Sequence, residues 1–236
     1  MKLIAHRGAS AHYPENTLAA FRGALESGCS AVECDVQQTK DGVLILSHDG
    51  HLGRTAAVQK SFRELNYGEL AEFDVGSWFD KRFSQERVPK FEQLLEFLPH
   101  AVELHVDIKQ VDPPYERLEE KILNAVGSRE LWRERTTFAS KDVGSLERLR
   151  KTDSELRLGF QPSGTPINDA VKTAKKLQVE SLRLNKDRVT PEWIERAHEE
   201  GWEVYVYAAS EPQDLERLAA MGVDFIFTGD PGLGIR

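Results

Sequence analysis

Short apolar runs of strand length alternate with longer amphipathic runs over nearly the whole chain, the pattern of successive βα units around a parallel sheet. Strands are predicted at about residues 2–6, 31–36, 102–108, 136–139, 156–161, 181–184, 203–207 and 224–227, with a further apolar run at 43–46 set aside. Helices are predicted at about 16–26, 90–98, 114–126, 142–150, 166–177, 191–200 and 212–221. Thr190-Pro191-Glu192 and Ser210-Glu211-Pro212 open two of them with a capping side chain and a first-turn proline. Eight strands with helices between them imply a (β/α)8 TIM barrel, whose functional groups gather at the C-terminal strand ends. The expected organisation is one domain over residues 1–236, with a small insertion after strand 2 at about 50–89 lying over the barrel mouth. Asp41-Gly42 is a hairpin-type turn leading into that region. The tail after residue 230 is too short for an eighth helix.

Alternation within the strands assigns faces. In Ala-Val-Glu-Cys-Asp-Val, Glu33 and Asp35 share one face and Val32, Cys34 and Val36 the other. In the strand at 102–108, Glu103, His105, Asp107 and Lys109 share a face opposite Leu104, Val106 and Ile108. With the apolar faces against the helices, the carboxylates point into the barrel, where they repel one another unless a cation or a shared proton intervenes. Oxygen ligands suit Mg²⁺, Ca²⁺ or Mn²⁺, so Glu33, Asp35 and Asp107 are candidate ligands of one divalent cation, with Lys109 balancing charge or touching a phosphate oxygen. Glu103 and His105 lie deeper and are expected to fill the barrel as hydrogen-bonded groups. His6 and His48 each end an apolar run beside a charged residue, and a pair of imidazoles can serve the two ends of a displacement. The remaining histidines considered, His12, His51, His100 and His198, are expected at the surface.

Composition narrows the class. A hydrophobic content of 40% and a charged content of 30% are those of a soluble globular protein, and no apolar run reaches the roughly 20 residues of a membrane span. With no signal-like segment before the first strand, the expectation is a cytoplasmic protein without stable membrane insertion. The net charge of −8 argues against a nucleic-acid partner. Cys29 and Cys34 are too few for a disulfide framework and are expected as small buried thiols. Nothing in the sequence specifies an oligomeric state.

The ordered set His6-Arg7-Gly8, Pro14-Glu15-Asn16-Thr17, Glu33-x-Asp35, Thr39-Lys40-Asp41-Gly42 and His48-Asp49 resembles the glycerophosphodiester phosphodiesterases. The likeness continues through Arg54-Thr55, Val88-Pro89, Asp107-x-Lys109, Phe138-Ala139-Ser140, Gly222-Val223-Asp224 and Thr228. The resemblance implies a metal-dependent hydrolase that cleaves a small glycerophosphodiester to glycerol 3-phosphate and an alcohol. Carried over by position, it implies Glu33, Asp35 and Asp107 as metal ligands, Arg7 as phosphate ligand with Lys109 nearby, His6 as base and His48 as acid. In the family picture the glycerol 2-hydroxyl attacks phosphorus and water opens the cyclic phosphate. This chain departs in carrying Asp107 where the family usually has Glu, in ending strand seven as Tyr207-Ala208-Ala209-Ser210 in place of a Trp-Thr-x-Asn-like sequence, and in an extra residue within Thr228-Gly229-Asp230-Pro231. Tyr207 is a candidate aromatic wall for the substrate. Two other readings use the same residues. A lysophospholipid- or sphingolipid-directed enzyme would need an apolar apron such as Phe73, Trp78, Phe79 and Phe83, and a phosphate-binding relic would need no catalysis.

Overall fold

The structure, a computed structural model, describes residues 1–127 and 130–234. Its strands are β1 Lys2–His6, β2 Ala31–Gln38, β3 Leu44–Leu46, β4 Glu103–Ile108, β5 Thr136–Ser140, β6 Arg157–Phe160, β7 Ser181–Asn185, β8 Glu203–Ala209 and β9 Phe225–Thr228. Hydrogen bonding runs β1-β2-β4-β5-β6-β7-β8-β9 and returns to β1, which closes a parallel eight-stranded barrel. The run at 43–46 contributes β3, outside the closed ring and antiparallel to the C-terminal end of β2.

The helices are α1 Leu18–Glu26, α2 Gly53–Ala56, α3 Tyr67–Leu70, α4 Phe91–Phe97, α5 Leu118–Gly127, α6 Glu130–Arg133, α7 Val143–Thr152, α8 Ile167–Leu177, α9 Pro191–Glu199 and α10 Pro212–Ala220. Local chemistry sets several starts: Thr17 accepts from Ala20 N at α1, and Asp142 from Ser145 N at α7. The helix expected from residue 114 begins later, at Leu118. Arg117 has a φ of 55°, so the backbone cannot run helically through this stretch. The Gln110 side chain holds it instead, accepting from Tyr115 N at 2.8 Å. At the C-terminal end a single turn, Pro231–Gly234, stands where an eighth helix would be.

The expected alternation produces two distinct interiors. Val32, Cys34, Val36, Leu104, Val106 and Ile108 join the main core between barrel and helices, while Ile4, Ala31, Tyr205 and Phe227 form a separate cluster inside the barrel. Cys34 is fully buried, whereas Cys29 is only partly so. At the N-terminal end the barrel is trimmed by ion pairs, Lys2 with Glu103 at 2.6 Å and Arg157 with Glu203 at 3.5 Å. The barrel is therefore packed below and polar above.

Between β3 and α4 the chain carries α2, α3 and two short 3-10 turns, Phe62–Glu64 and Lys81–Phe83. This segment has its own apolar core of Ile45, Leu52, Phe62, Leu65, Leu70, Val75 and Val88. It is tied to the barrel mouth by Arg54 to Glu15 and by Arg63 Nη2 donating to Pro114 O at 2.6 Å. Its aromatic side chains pack on one another: Trp78 on Phe79, Phe79 on Phe83, and Phe83 on Tyr13. Trp78 is the exposed member of that group.

Candidate active site

Register brings the carboxylates together. His6 pairs with Glu33 across β1 and β2, and Asp35 with Asp107 across β2 and β4. Since all three acids face inward, one oxygen each of Glu33, Asp35 and Asp107 lies within 4.8 Å of the others. Lys109, two residues beyond Asp107, folds back so that Nζ is 2.5 Å from Asp107 Oδ2 and 2.9 Å from Asp35 Oδ1. The second approach is off the direction of a hydrogen bond, and the fully buried Asp35 Oδ1 has no donor. Asn16 Nδ2 donates to Asp35 Oδ2 at 2.8 Å, and Arg7 Nε stands 3.1 Å from that oxygen.

Arg7 is placed by an unusual backbone. Both Arg7 (φ 57°) and Gly8 (φ 80°) are left-handed, which turns the chain sharply off β1. A Cβ on Gly8 would lie 2.5 Å from the backbone carbon of Ala20, so only glycine lets α1 approach this turn. The turn points Arg7 N at Glu33 Oε2, to which it donates at 3.0 Å.

Burial and charge then divide the protonation states. Burial and the neighbouring Asp35 push the Glu33 carboxyl up to about 8. Burial would also raise Asp35, but Lys109 and Arg7 outweigh it and hold that carboxyl well below the usual range. Burial works against charge on Lys109 and on Arg7, yet the acids around them, Asp35 foremost, keep both cations charged. Burial, reinforced by Arg7, lowers His6 to about 3, so its imidazole is neutral near neutral pH. Three crowded carboxylates against two cations, with a donorless buried oxygen among them, are a donor set that fits a hard divalent cation.

His48 arrives on the loop after β3. Its Nδ1 is 2.8 Å from Asp49 Oδ1, which favours a proton on Nδ1 and leaves Nε2 for the cavity. A chain of ion pairs carries on from there: Asp49 Oδ2 to Arg54 Nε at 3.0 Å, Arg54 to Glu15 at 2.7 and 2.9 Å, and Glu15 to Arg7 at 3.0 Å. Gln37 anchors the loop from below. Its Nε2 donates to the carbonyls of Ser47, His48 and Asp49 at 2.8, 3.2 and 2.6 Å, and its Oε1 accepts from Tyr115 OH at 3.1 Å.

These groups face one cavity of about 360 Å³, lined by His6, Arg7, Glu33, His48, Asp107, Lys109 and Tyr207 among others. Asp35 lies behind the wall, 1% exposed, within the carboxylate cluster. His6, Arg7, Glu33, Asp35, His48, Asp107, Lys109 and Tyr207, the site residues expected from the sequence, are thus all in or immediately behind one space. His105 is buried below it, as expected for barrel filling, and Glu103 is at the far end. His12 and His198 are exposed in ion pairs with Asp230 and Asp224.

Four participants were not foreseen: Glu15, Asn16 and Gln37 as positioning groups, and Arg183 in the cavity wall. Arg183 had a visible signal, because Ser-Leu-Arg-Leu-Asn places a cation on the inward face of a strand. Gln37 had none, since its partners come from a loop ten or more residues on and from Tyr115, 78 residues away.

Comparison with known proteins adds an independent line. The sequence model of the Glycerophosphoryl diester phosphodiesterase family matches residues 6–233. A curated glycerophosphodiester phosphodiesterase of Caldanaerobacter subterraneus subsp. tengcongensis is 31% identical over 230 residues, 97% of this chain and 94% of the relative. Among solved structures, a phosphodiesterase of Oleispira antarctica in complex with the product sn-glycerol-3-phosphate superposes with a TM-score of 0.87 at 25% identity, covering 98% of this chain and 94% of that one. The glycerophosphodiester phosphodiesterase of Agrobacterium tumefaciens gives 0.83 at 27% identity, with 99% and 98% covered.

Proposed function

The chain belongs to the glycerophosphoryl diester phosphodiesterase family and is an enzyme of that kind, a hydrolase of glycerophosphodiesters, and on that premise we propose how its residues divide the work. Glu33, Asp35 and Asp107 hold one divalent cation, Mg²⁺, Ca²⁺ or Mn²⁺; Arg7 and Lys109 bind the phosphate; His6 and His48 move the protons; Tyr207 walls the glycerol side. The observation that carries this reading is the meeting of a neutral, half-buried imidazole, an imidazole tied to a carboxylate, and a buried acid triad in one cavity.

Bound at the triad, a divalent cation supplies charge for the phosphoryl oxygens. Arg7 and Lys109, both mostly withdrawn from solvent, present fixed positive charge beside it. His6, neutral, takes the proton from the glycerol 2-hydroxyl as that oxygen attacks phosphorus. His48, held through its Nδ1–H by Asp49 and entering the step as the imidazolium, gives its Nε2 proton to the departing alcohol oxygen. With the roles exchanged, the same two imidazoles serve the water that opens the cyclic phosphate, yielding glycerol 3-phosphate.

The test is release of glycerol 3-phosphate from glycerophosphocholine with each of the three metals and with a chelator. Activity that survives chelation removes the metal from the reading. Full activity in both His6→Ala and His48→Ala removes the acid-base assignment, even if hydrolysis itself is real.

A further inference from the structure

The charges of the mouth are not mixed evenly. On the β1, β2 and β4 side, each cation is matched by an acid: Arg7 and Lys109 by Asp35, and Arg54 by Glu15 and Asp49. β7 lies four strands from β2 in either direction around the ring, directly across the barrel. On that side stand three cations without a carboxylate partner among the described residues: Arg183 on β7, Lys141 after β5 and Arg188 after β7.

Arg183 is the most telling of them. It is 2% exposed, yet among the described residues its only side-chain hydrogen bond is to His105 Nδ1 at 3.2 Å, and its Nε has no partner there. The guanidinium rests over the rings of Phe227 and Tyr205, 5.1 and 5.7 Å from their centres. The adjacent strand β6 is cleared for it, because a Cβ on Gly159 would come within 2.9 Å of Arg183 Nε. Burial works against the Arg183 charge, and Asp107 and Glu33 of the acid triad favour it through space, but among the described residues no carboxylate contacts the guanidinium, which leaves it able to accept an anion of the substrate.

Arg183 also lines two spaces at once. It faces the catalytic cavity together with Lys141, and a neighbouring cavity of about 600 Å³ together with Arg188, Trp193 and Tyr207. Lys141 and Arg188 are exposed and have no side-chain hydrogen bond or ion pair among the described residues. Glu192 is the acidic side chain of the second cavity. By contrast Lys186, close in sequence, is neutralised by Asp214 at 2.7 Å. On a chain of net charge −8, two exposed unpaired cations, one in each of the cavities that Arg183 lines, make a local anion-attracting field on this side of the mouth.

Resting on the phosphodiesterase reading above, we propose that the preferred diesters carry an anionic alcohol portion, a carboxylate or a second phosphate, which docks across the barrel from the acid triad on Arg183, Lys141 and Arg188. The scissile phosphate occupies the β2 and β4 side, and the alcohol extends toward β5 and β7. A quaternary ammonium group placed there meets like charge.

The test compares three glycerophosphodiesters of similar size, the esters of choline, ethylene glycol and glycolate, by glycerol 3-phosphate release. The glycolate ester is expected to exceed the choline ester in kcat/KM by about tenfold or more, the scale of one ion contact at a partly solvated site, and the preference is expected to shrink in high salt. In Lys141→Glu with Arg188→Glu, both at exposed positions, the glycolate-to-choline ratio is expected to fall by about tenfold or more. Arg183→Met is expected to lower the ratio as well. A wild-type ratio of one or below, or a ratio unmoved by the double substitution, overturns this proposal while leaving the phosphodiesterase reading intact. No glycerol 3-phosphate from any of the three overturns that reading and this one with it.

Discussion

Gln37→Leu separates the scaffold of the His48 loop from its chemistry. The side chain is 1% exposed and has no hydrogen bond to the triad among the described residues, but its amide holds three consecutive carbonyls of the loop and one buried tyrosine hydroxyl. An ordinary internal hydrogen bond contributes about 0.5–1.5 kcal/mol net, and a buried donor left without a partner costs about 1–3 kcal/mol. The three carbonyls are only partly buried, so water can reach them, and their loss belongs at the low end. Tyr115 OH is buried, and burial pushes its ionisation up to about 12, so it remains a donor with nowhere to donate. Together these give about 2–4 kcal/mol, or a fall in Tm of roughly 4–16 °C at this chain length. If the loop then moves by even about 1 Å, kcat is expected to fall on the order of a hundredfold. Thermal melting and steady-state hydrolysis of glycerophosphocholine read the two effects separately. A variant with lowered Tm but kcat within about threefold of wild type shows that Gln37 does not position His48. One with neither effect refutes the hydrogen-bond argument itself.

Four other outcomes follow from the same contacts. Asp107→Asn removes one of three crowded carboxylates, and the metal concentration giving half-maximal activity is expected to rise at least about tenfold, with Asp107→Glu retaining binding. Asp49→Asn leaves His48 without its carboxylate and Arg54 with one acid fewer, so kcat is expected to drop on the order of a hundredfold while KM changes little. Gly8→Ala sets a Cβ against the backbone of Ala20 in a left-handed residue, and chemical denaturation is expected to show a loss of about 2 kcal/mol or more. At Glu119, burial raises the carboxyl, but hydrogen bonds from Arg148, Ser145 and Gln110 outweigh it and hold it below its ordinary value of 4.5. The folded state therefore gains stability above that pH and loses it as the pH falls through the lowered value. Glu119→Gln is expected to cost about 1.5–3 kcal/mol in urea melts at pH 7, a gap that narrows as the pH falls through that lowered value.

Much of the site was legible in the sequence because two rules act locally. Alternation decided that Glu33 and Asp35 share a face, and that Asp107 and Lys109 share another, whatever the strands pair with. The count of eight strands then implied closure, and closure implied convergence. Where local chemistry gave no signal, element boundaries moved: the turn at Asp112 to Arg117 delayed α5, and the apolar run at 43–46 became a strand outside the ring.

What the amino-acid order determined by itself was the barrel, the faces of its strands and the identity of the groups at its mouth, since periodicity and burial of apolar faces need no partner to be read. Only the tertiary structure decided which charges meet. Lys109 bends back between two acids, Glu15 is shared by two arginines, Gln37 reaches a loop and a distant tyrosine, and Arg183 reaches His105 with no carboxylate in contact among the described residues. Those contacts join residues far apart in the chain, and their energies depend on distance and burial, which are set when the barrel closes.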